Sequence, residues 1–291
     1  MNRTPLSKLI FNIYVAIFFA YMLLPLVVMG GAALNDSRFP SVVPWKGWTI
    51  RWFIDLWNDP RMWTASFNTL MVAIGVVCLA VPIGTAAAIL INNIKGRSRS
   101  FLYGLMVAPI LTPGAVIGIS TLLFWNKFEI PAGLHLSAFG QVSFIAAYVM
   151  LMVLARLQSF DPGLEEAALD LGASHAQVLR RVLAPHLYPS LGAGAVIAFF
   201  QSVENFNVTL FTRGNSDTLT VYVGSKVRTG ITPTINALAL ILISITVIGA
   251  IAYEISRRRE VARQEALQAQ ARKDELAAEV GVFAGAATES A

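Results

Sequence analysis

Apolar residues in this chain fall into long blocks separated by short polar intervals. The blocks cover 9–34, 69–91, 101–125, 138–157, 191–211 and 235–253. Each approaches or exceeds the roughly 20 residues that a helix needs to cross the hydrocarbon of a bilayer. The pattern predicts an all-α integral membrane protein with six spans. The first block follows Arg3 and Lys8 but is too long for the apolar part of a signal peptide, about 7–15 residues, so it reads as a retained span.

One polar interval is different in kind. Between 159 and 190 the chain is patterned as two short helices rather than as a loose loop. Asp161 followed by Pro162 is a helix start: the carboxylate accepts from orphan N–H groups and proline fits the first helical position. Leu164, Ala167, Ala168 and Leu171 then recur at helical spacing, and Gly172 ends the helix. Ser174 and Gln177 have the spacing of a capping box, which restarts a helix through Leu183 with Arg180 and Arg181 near its end. Pro185 and Pro189 are expected to stop that helix before the next span.

Glu166-Ala167-Ala168, Gly172 and Val182-Leu183-Ala184-Pro185 resemble, in sequence and spacing, the EAA motif in the membrane subunit of bacterial ABC importers. Ala184 departs from the pattern, which usually has a larger aliphatic residue before the proline. The competing reading is an amphipathic loop lying on the membrane surface, which would not need this glycine and proline spacing. The resemblance implies a type I ABC importer permease fold, in which this loop is a cytoplasmic coupling helix seated in a groove of an ATPase subunit. Glu165, Glu166, Ala167, Ala168, Asp170, Gly172, Ala173 and Ser174 would be the docking residues. Gly172 would supply the turn, Glu166 a polar contact or cap, and Ala167 and Ala168 a small surface. The implied partners are two ATPase copies that bind ATP and Mg, a second permease subunit that is usually a paralogue, and a periplasmic solute-binding protein. This chain itself would need no cofactor.

Composition and charge agree with that picture. Hydrophobic residues make up 56% of the chain and charged residues 13%, against about 45–50% and about a quarter in soluble domains. The net charge of +5 reads as topology: Arg3 and Lys8, then Lys95, Arg97 and Arg99, then Arg257, Arg258 and Arg259 lie in segments that the positive-inside rule places in the cytoplasm. With six spans the interval 159–190 falls on the same side. The expected location is the bacterial inner membrane, multi-pass, with both termini cytoplasmic. No basic stretch is interleaved with aromatics, which argues against nucleic-acid binding. Residues 1–255 form the permease domain. Residues 256–291 are a charged helical extension, small-residue rich and disordered from Gly281.

Candidate chemistry inside the spans is sparse. Pro113, with Pro109, Gly114 and Gly118, interrupts the third block and marks backbone that is buried in protein or lines a cavity. The fifth block holds the one deep acid, Glu204, which at a cost of a few kcal/mol should face the interior, a partner or water. Gln201, Glu204 and Asn205 are expected on one helical face, with Asn207 and Thr209 nearby. The stretch from Ser202 to Gly214, continued through Gly230, Pro233 and Asn236, is similar to spermidine/putrescine permeases, as is the pattern from Trp48 to Pro60 with Asn68-Thr69. That resemblance implies a polyamine or related amine as cargo and an acidic residue at the place of Glu204; Gln201, Glu204, Asn205, Asn207 and Pro113 are the candidate residues of the translocation path. A gate or packing role for Glu204 is the alternative.

Five of the six tryptophans, Trp45, Trp48, Trp52, Trp57 and Trp63, lie between the first two blocks and predict a short interfacial helix. Cys78, the single cysteine, is expected to pack inside the second span. His135, His175 and His186 make no metal-ligand set. No G-x-x-x-x-G-K-[ST] loop is present, so the chain should not hydrolyse ATP. The main alternative is a transporter driven by an ion gradient, which would need paired ionisable groups within its spans. A membrane enzyme would need a convergent catalytic set.

Overall fold

The computed structural model describes the backbone of residues 5–230 and 232–289, and side chains from 6 to 264 except 231. Arg3, Ser290 and Ala291 lie outside the described residues. The regular structure of the described residues is helical, apart from one isolated bridge between Asn35 and Trp48. It divides into two compact units, Met1–Phe53 with Pro233–Ala291, and Ile54–Thr232.

In the first unit α1 (Pro5–Leu34) packs on α12 (Pro233–Glu289). The apolar window of α1 buries none of its residues within the protein, as expected of a helix whose outer solvent is lipid. The chain after α1 is organised by Asn35, which is fully buried. Its amide donates to Ser41 O and Pro44 O at 2.9 and 3.1 Å, and its Oδ1 accepts from Lys46 N–H at 2.8 Å. The predicted short interfacial helix is present as α2 (Arg51–Trp57). Trp52 departs from the expectation: it is buried, packs with Ala33 and Ala237, and donates its indole N–H to Asn35 O at 2.9 Å. Trp45, Trp48, Trp57 and Trp63 remain exposed. Beyond Tyr253 the helix continues to Glu289. It includes the stretch from Gly281 that composition suggested would lack order; Ala284, Ala286 and Ala287 there are strong helix formers.

The second unit is built on α3 (Pro60–Asn93), α6 (Leu134–Leu157) and α9 (Ala184–Val203), which share one apolar core. Asp59 starts α3 by accepting Arg61 N–H at 2.9 Å, with Pro60 in the first turn. Gly84 lets α3 approach α6 so closely that a methyl group there would lie 2.5 Å from Ala146 O. Cys78 corrects the sequence expectation: it is exposed and faces outward in an apolar groove with Ile74, Val196 and Phe199. Helical phase, invisible in a uniformly apolar run, decides this.

The third span is a broken one. α4 (Arg97–Leu111) and α5 (Gly114–Asn126) meet at 104°. Pro113 has no N–H to donate and biases Thr112 out of the helical region, here to φ −83°, ψ 131°. The pair nevertheless crosses from one end of α6 to the other. Arg99 and Tyr103 line a cavity with Leu154 and Gln158 near the end of α6, whereas Trp125 stacks near Phe139 at its start, ring centroids 5.5 Å apart. Among the described residues, five helices are long and apolar enough to cross a membrane, and this pair makes a sixth candidate span.

Candidate functional site

The interval after α6 folds as its capping residues dictate. α7 (Pro162–Asp170) begins with Gly163 N–H donating to Asp161 Oδ1 at 2.9 Å. It ends in a Schellman turn: Gly172 N–H donates to Leu169 O at 2.8 Å, and Ala173 N–H to Ala168 O at 3.1 Å. Gly172 has φ +81°, which only glycine adopts without strain. α8 (His175–Val178) opens with a complete capping box. Gln177 N–H donates to Ser174 Oγ, and Ser174 N–H donates to Gln177 Oε1 at 2.8 Å.

Beyond Val178 the structure corrects the sequence. Pro185 and Pro189 do not stop a helix there. A single π-turn over Leu179–Leu183 joins α8 to α9, with Ala184 N–H reaching back to Leu179 O. The wider turn takes up the change of register, and Pro185, lacking an N–H, falls in the first turn of α9 where none is required. Arg156 and His186 brace this junction reciprocally. Arg156 Nε donates to His186 O at 3.1 Å, and His186 Nε2 lies 3.2 Å from Arg156 O.

The sequence-predicted docking residues are together on the surface. Glu165, Glu166, Ala167, Asp170, Gly172 and Ser174 are exposed, and Ala168 and Ala173 are partly so. Glu165, Glu166 and Asp170 have no ion-pair partner among the described residues. Leu164 and Leu171, on the apolar face of α7, are 54% and 89% exposed. Both leucines are therefore left uncovered by the described residues.

The expected translocation-path residues are placed differently from their prediction. Gln201, Glu204 and Asn205 do not share a helical face, because α9 ends at Val203 and a new helix, α10 (Asn207–Thr212), starts after a break. Asn205 makes that break: its Oδ1 accepts Val208 N–H at 3.1 Å and Thr209 N–H at 3.4 Å, so it caps α10. Glu204 terminates α9 and is exposed, as is Asn207. Pro113 and Gly114, at the other break, come against α10, where a methyl on Gly114 would be 3.0 Å from Asn207 Cβ. The two interrupted helices therefore meet at their interruptions.

Sequence reading missed the polar ladder behind them. Ser137 and Gln141 of α6 are buried and face α10 and α9. Gln141 Nε2 donates to Thr209 Oγ1 at 2.8 Å, Ser202 Oγ donates to Gln141 Oε1 at 2.5 Å, and the Ser137 and Thr212 hydroxyls are 3.0 Å apart. The only signal in the sequence is a glutamine near the start of an apolar block, and its partners lie 61 and 68 residues away.

A third cluster ties α11 (Leu219–Thr229) to the start of α3. Tyr222 donates its hydroxyl to Asp59 Oδ2 at 2.8 Å, and Lys226 Nζ is 3.4 Å from the same oxygen. Burial alone would raise the Asp59 pKa, but hydrogen bonds from Tyr222 and Arg61 N–H and the charge of Lys226 outweigh it and leave it below the ordinary carboxylate value. Burial, then the bond to the Asp59 carboxylate, pushes the Tyr222 phenol well above its ordinary value.

Residues 80–261 match the family described as "Binding-protein-dependent transport system inner membrane component". The chain belongs to that family. This permease is 29% identical over 254 residues to the spermidine/putrescine transport system permease protein PotC of Escherichia coli K12, covering 87% of this chain and 96% of the relative. It is 31% identical over 278 residues to the putrescine transport system permease protein PotI of the same strain, covering 92% and 98%. In fold it resembles a chain of a bacterial ABC transporter involved in import of alginate, with TM-score 0.63 at 16% identity, covering 89% and 99%. A chain of the MetNI methionine ABC transporter gives TM-score 0.55 at 20% identity, covering 69% and 98%. As a member of this family the permease is a multi-pass transport component of the inner membrane and not an enzyme.

Proposed function

We propose that this permease is the membrane subunit of an ATP-driven importer of polyamines or related amines, working with two ATPase copies, a paralogous second permease and a periplasmic binding protein. The cargo class rests on the names of the relatives that match nearly the whole chain. The observation that carries the mechanism is the α7–turn–α8 unit. Asp161 caps its start, Gly172 and the Ser174 capping box fix its turn, and Arg156 with His186 braces the junction where it runs into α9, yet its acids make no ion pair among the described residues and Leu164 and Leu171 stand exposed.

In this reading Glu165, Glu166, Ala167, Ala168, Asp170, Gly172, Ala173 and Ser174 form the surface that an ATPase groove accepts. The unit lies at the same end of α6 as Arg97 and Arg99, which the positive-inside rule puts in the cytoplasm, together with Lys95 and both termini. Because α8 runs through the π-turn into α9, a push on the unit is delivered axially to the helix that ends at Glu204. Movement there separates or closes the two helix breaks. Pro113, Gln201, Glu204, Asn205 and Asn207 line the path in this reading. A carboxylate at the C-terminus of α9 opposes the helix dipole, at about 0.3–1 kcal/mol, so Glu204 is badly placed for stability and well placed to meet a cation.

The test is co-purification of the importer from its native membrane with wild type and Gly172→Asp, followed by ATP hydrolysis. Aspartate at φ +81° is strained and adds a charge to the docking turn. An ATPase that accompanies wild type and is lost or uncoupled in the variant is the expected result. No ATPase with either protein refutes the docking role.

A further inference from the structure

At the end of α3 away from the α7–α8 unit, its first turns and residues 215–217 line an open notch of about 500 Å³. The walls are pinned together. Asn68 Nδ2 donates to Asp217 O at 2.9 Å, and Leu219 N–H donates to Thr69 Oγ1 at 2.7 Å. The charges around it are almost all matched: Asp217 pairs with Arg213, and Asp59 with Lys226. Arg61 is the exception, exposed in the cavity wall with no ion-pair partner among the described residues. The remaining lining, Thr64, Asn68, Asn215 and Ser216, is uncharged and able to hydrogen-bond. The notch is thus a preformed polar recess with one uncompensated guanidinium.

That guanidinium selects among occupants. A cationic amine is repelled by it. A lipid phosphate is disfavoured by direction: Trp63, Phe67, Leu70 and Ile74 form the exposed apolar stripe of α3. At about 100° per residue Arg61 lies roughly 150° around the helix from the middle of that stripe, with Thr64 and Asn68 between, on the side of the exposed Met71. The remaining anionic partner is a protein carboxylate, which guanidinium accepts in bidentate geometry. The family of this chain is defined by dependence on a binding protein, and the notch lies at the opposite end of α3 and α6 from the docking loop.

We propose that the notch is a docking site for the periplasmic binding protein, with Arg61 anchoring one of its acidic side chains. This rests on the importer reading above. The site is wired to the path. The segment that walls it leads into α11, whose Thr220 hydroxyl donates to Asn205 O at 3.1 Å. Gly224 of α11 leaves room for the Phe206 ring, which a methyl there would meet at 2.6 Å. Docking at Arg61 therefore bears on Asn205 and Phe206, two of the three residues between α9 and α10.

The experiment uses the complete importer in liposomes and measures ATP hydrolysis against binding-protein concentration. Arg61→Glu raises the half-maximal concentration at least tenfold, Arg61→Lys shifts it less than Arg61→Glu does, and raised salt narrows the difference between wild type and Arg61→Glu. Lys127→Glu, a charge reversal on an exposed residue outside the notch, leaves the half-maximal concentration within twofold. A photo-crosslinker at Asn215 captures the binding protein. The proposal is overturned if Arg61→Glu behaves as wild type, if Lys127→Glu shifts the curve equally, or if Asn215 captures lipid or the second permease. A wild-type importer that its binding protein does not stimulate overturns the importer reading itself, and this one with it.

Discussion

Replacing Gln141 with leucine removes both rungs that the buried glutamine makes. Thr209 Oγ1 loses a donor at 2.8 Å and Ser202 Oγ loses an acceptor at 2.5 Å. Side-chain hydrogen bonds between membrane helices are worth about 0.6 kcal/mol on average and up to about 1.7. Two of them set a range of about 1–3 kcal/mol. The lower end applies if the orphaned hydroxyls turn to carbonyls one turn back on their own helices, an option open to Ser and Thr within helices. The matching assay is thermal unfolding of the detergent-purified permease, where each kcal/mol is roughly 2–4 °C for a chain of this size class. A double-mutant cycle with Ser202→Ala and Thr209→Ala isolates the pairwise terms, because combining Gln141→Leu with Ser202→Ala removes both partners of that rung and leaves no orphan hydroxyl there. The expected result is a fall of several degrees for Gln141→Leu, about half recovered by adding Ser202→Ala. A variant as stable as wild type, or a cycle with no coupling, would refute the ladder as the link between α6 and the α9–α10 break.

Three further outcomes follow from the geometry. Gly84→Ala places a methyl 2.5 Å from Ala146 O and 2.8 Å from Val149 Cβ, and overpacking of this kind costs about 1–3 kcal/mol; Gly75→Ala, with nothing within 4 Å, should not lower the unfolding temperature, and equal behaviour of the two would be contrary. The Asp59 pKa is lowered by folding, so its contribution is present above the unfolded value of 3.8 and is lost as pH falls through the lower folded one. The Tyr222 pKa is raised, so its contribution persists below the ordinary phenol value of 10.0 and is lost only as alkali passes the higher folded value. The protection of α11 amides, the slowing of their exchange relative to an unstructured peptide at the same pH, should therefore be flat between about pH 5 and 8 and fall in Tyr222→Phe, which deletes the 2.8 Å bond to Asp59. His186→Ala removes the ring that braces the π-turn against Arg156; transport per ATP hydrolysed should fall more than ATP hydrolysis itself, and an unchanged ratio would count against the brace.

The division between what local sequence and long-range packing each decide is visible in particular residues. Bilayer thickness sets the length of an apolar block, so six crossings could be counted from the chain alone. Caps act over three or four positions, so Asp161, Gly172, Ser174 and Gln177 announced their turns, and the structure adds only the hydrogen bonds. Where a decision rests on the third dimension, the sequence was silent or misleading. Pro185 reads as a helix stop until the π-turn before it supplies the register in which no N–H is needed. Asn205 reads as one more residue of a long span until Thr220, 15 residues on, takes its carbonyl and α10 needs a cap. Cys78 and Trp52 exchanged their expected places because an apolar block does not reveal which of its faces meets protein and which meets lipid. Gln141 looked like an isolated polar residue because its partners are brought to it only when α6, α9 and α10 pack. Local chemistry determined the elements and their ends, and packing decided which side chains share an interior.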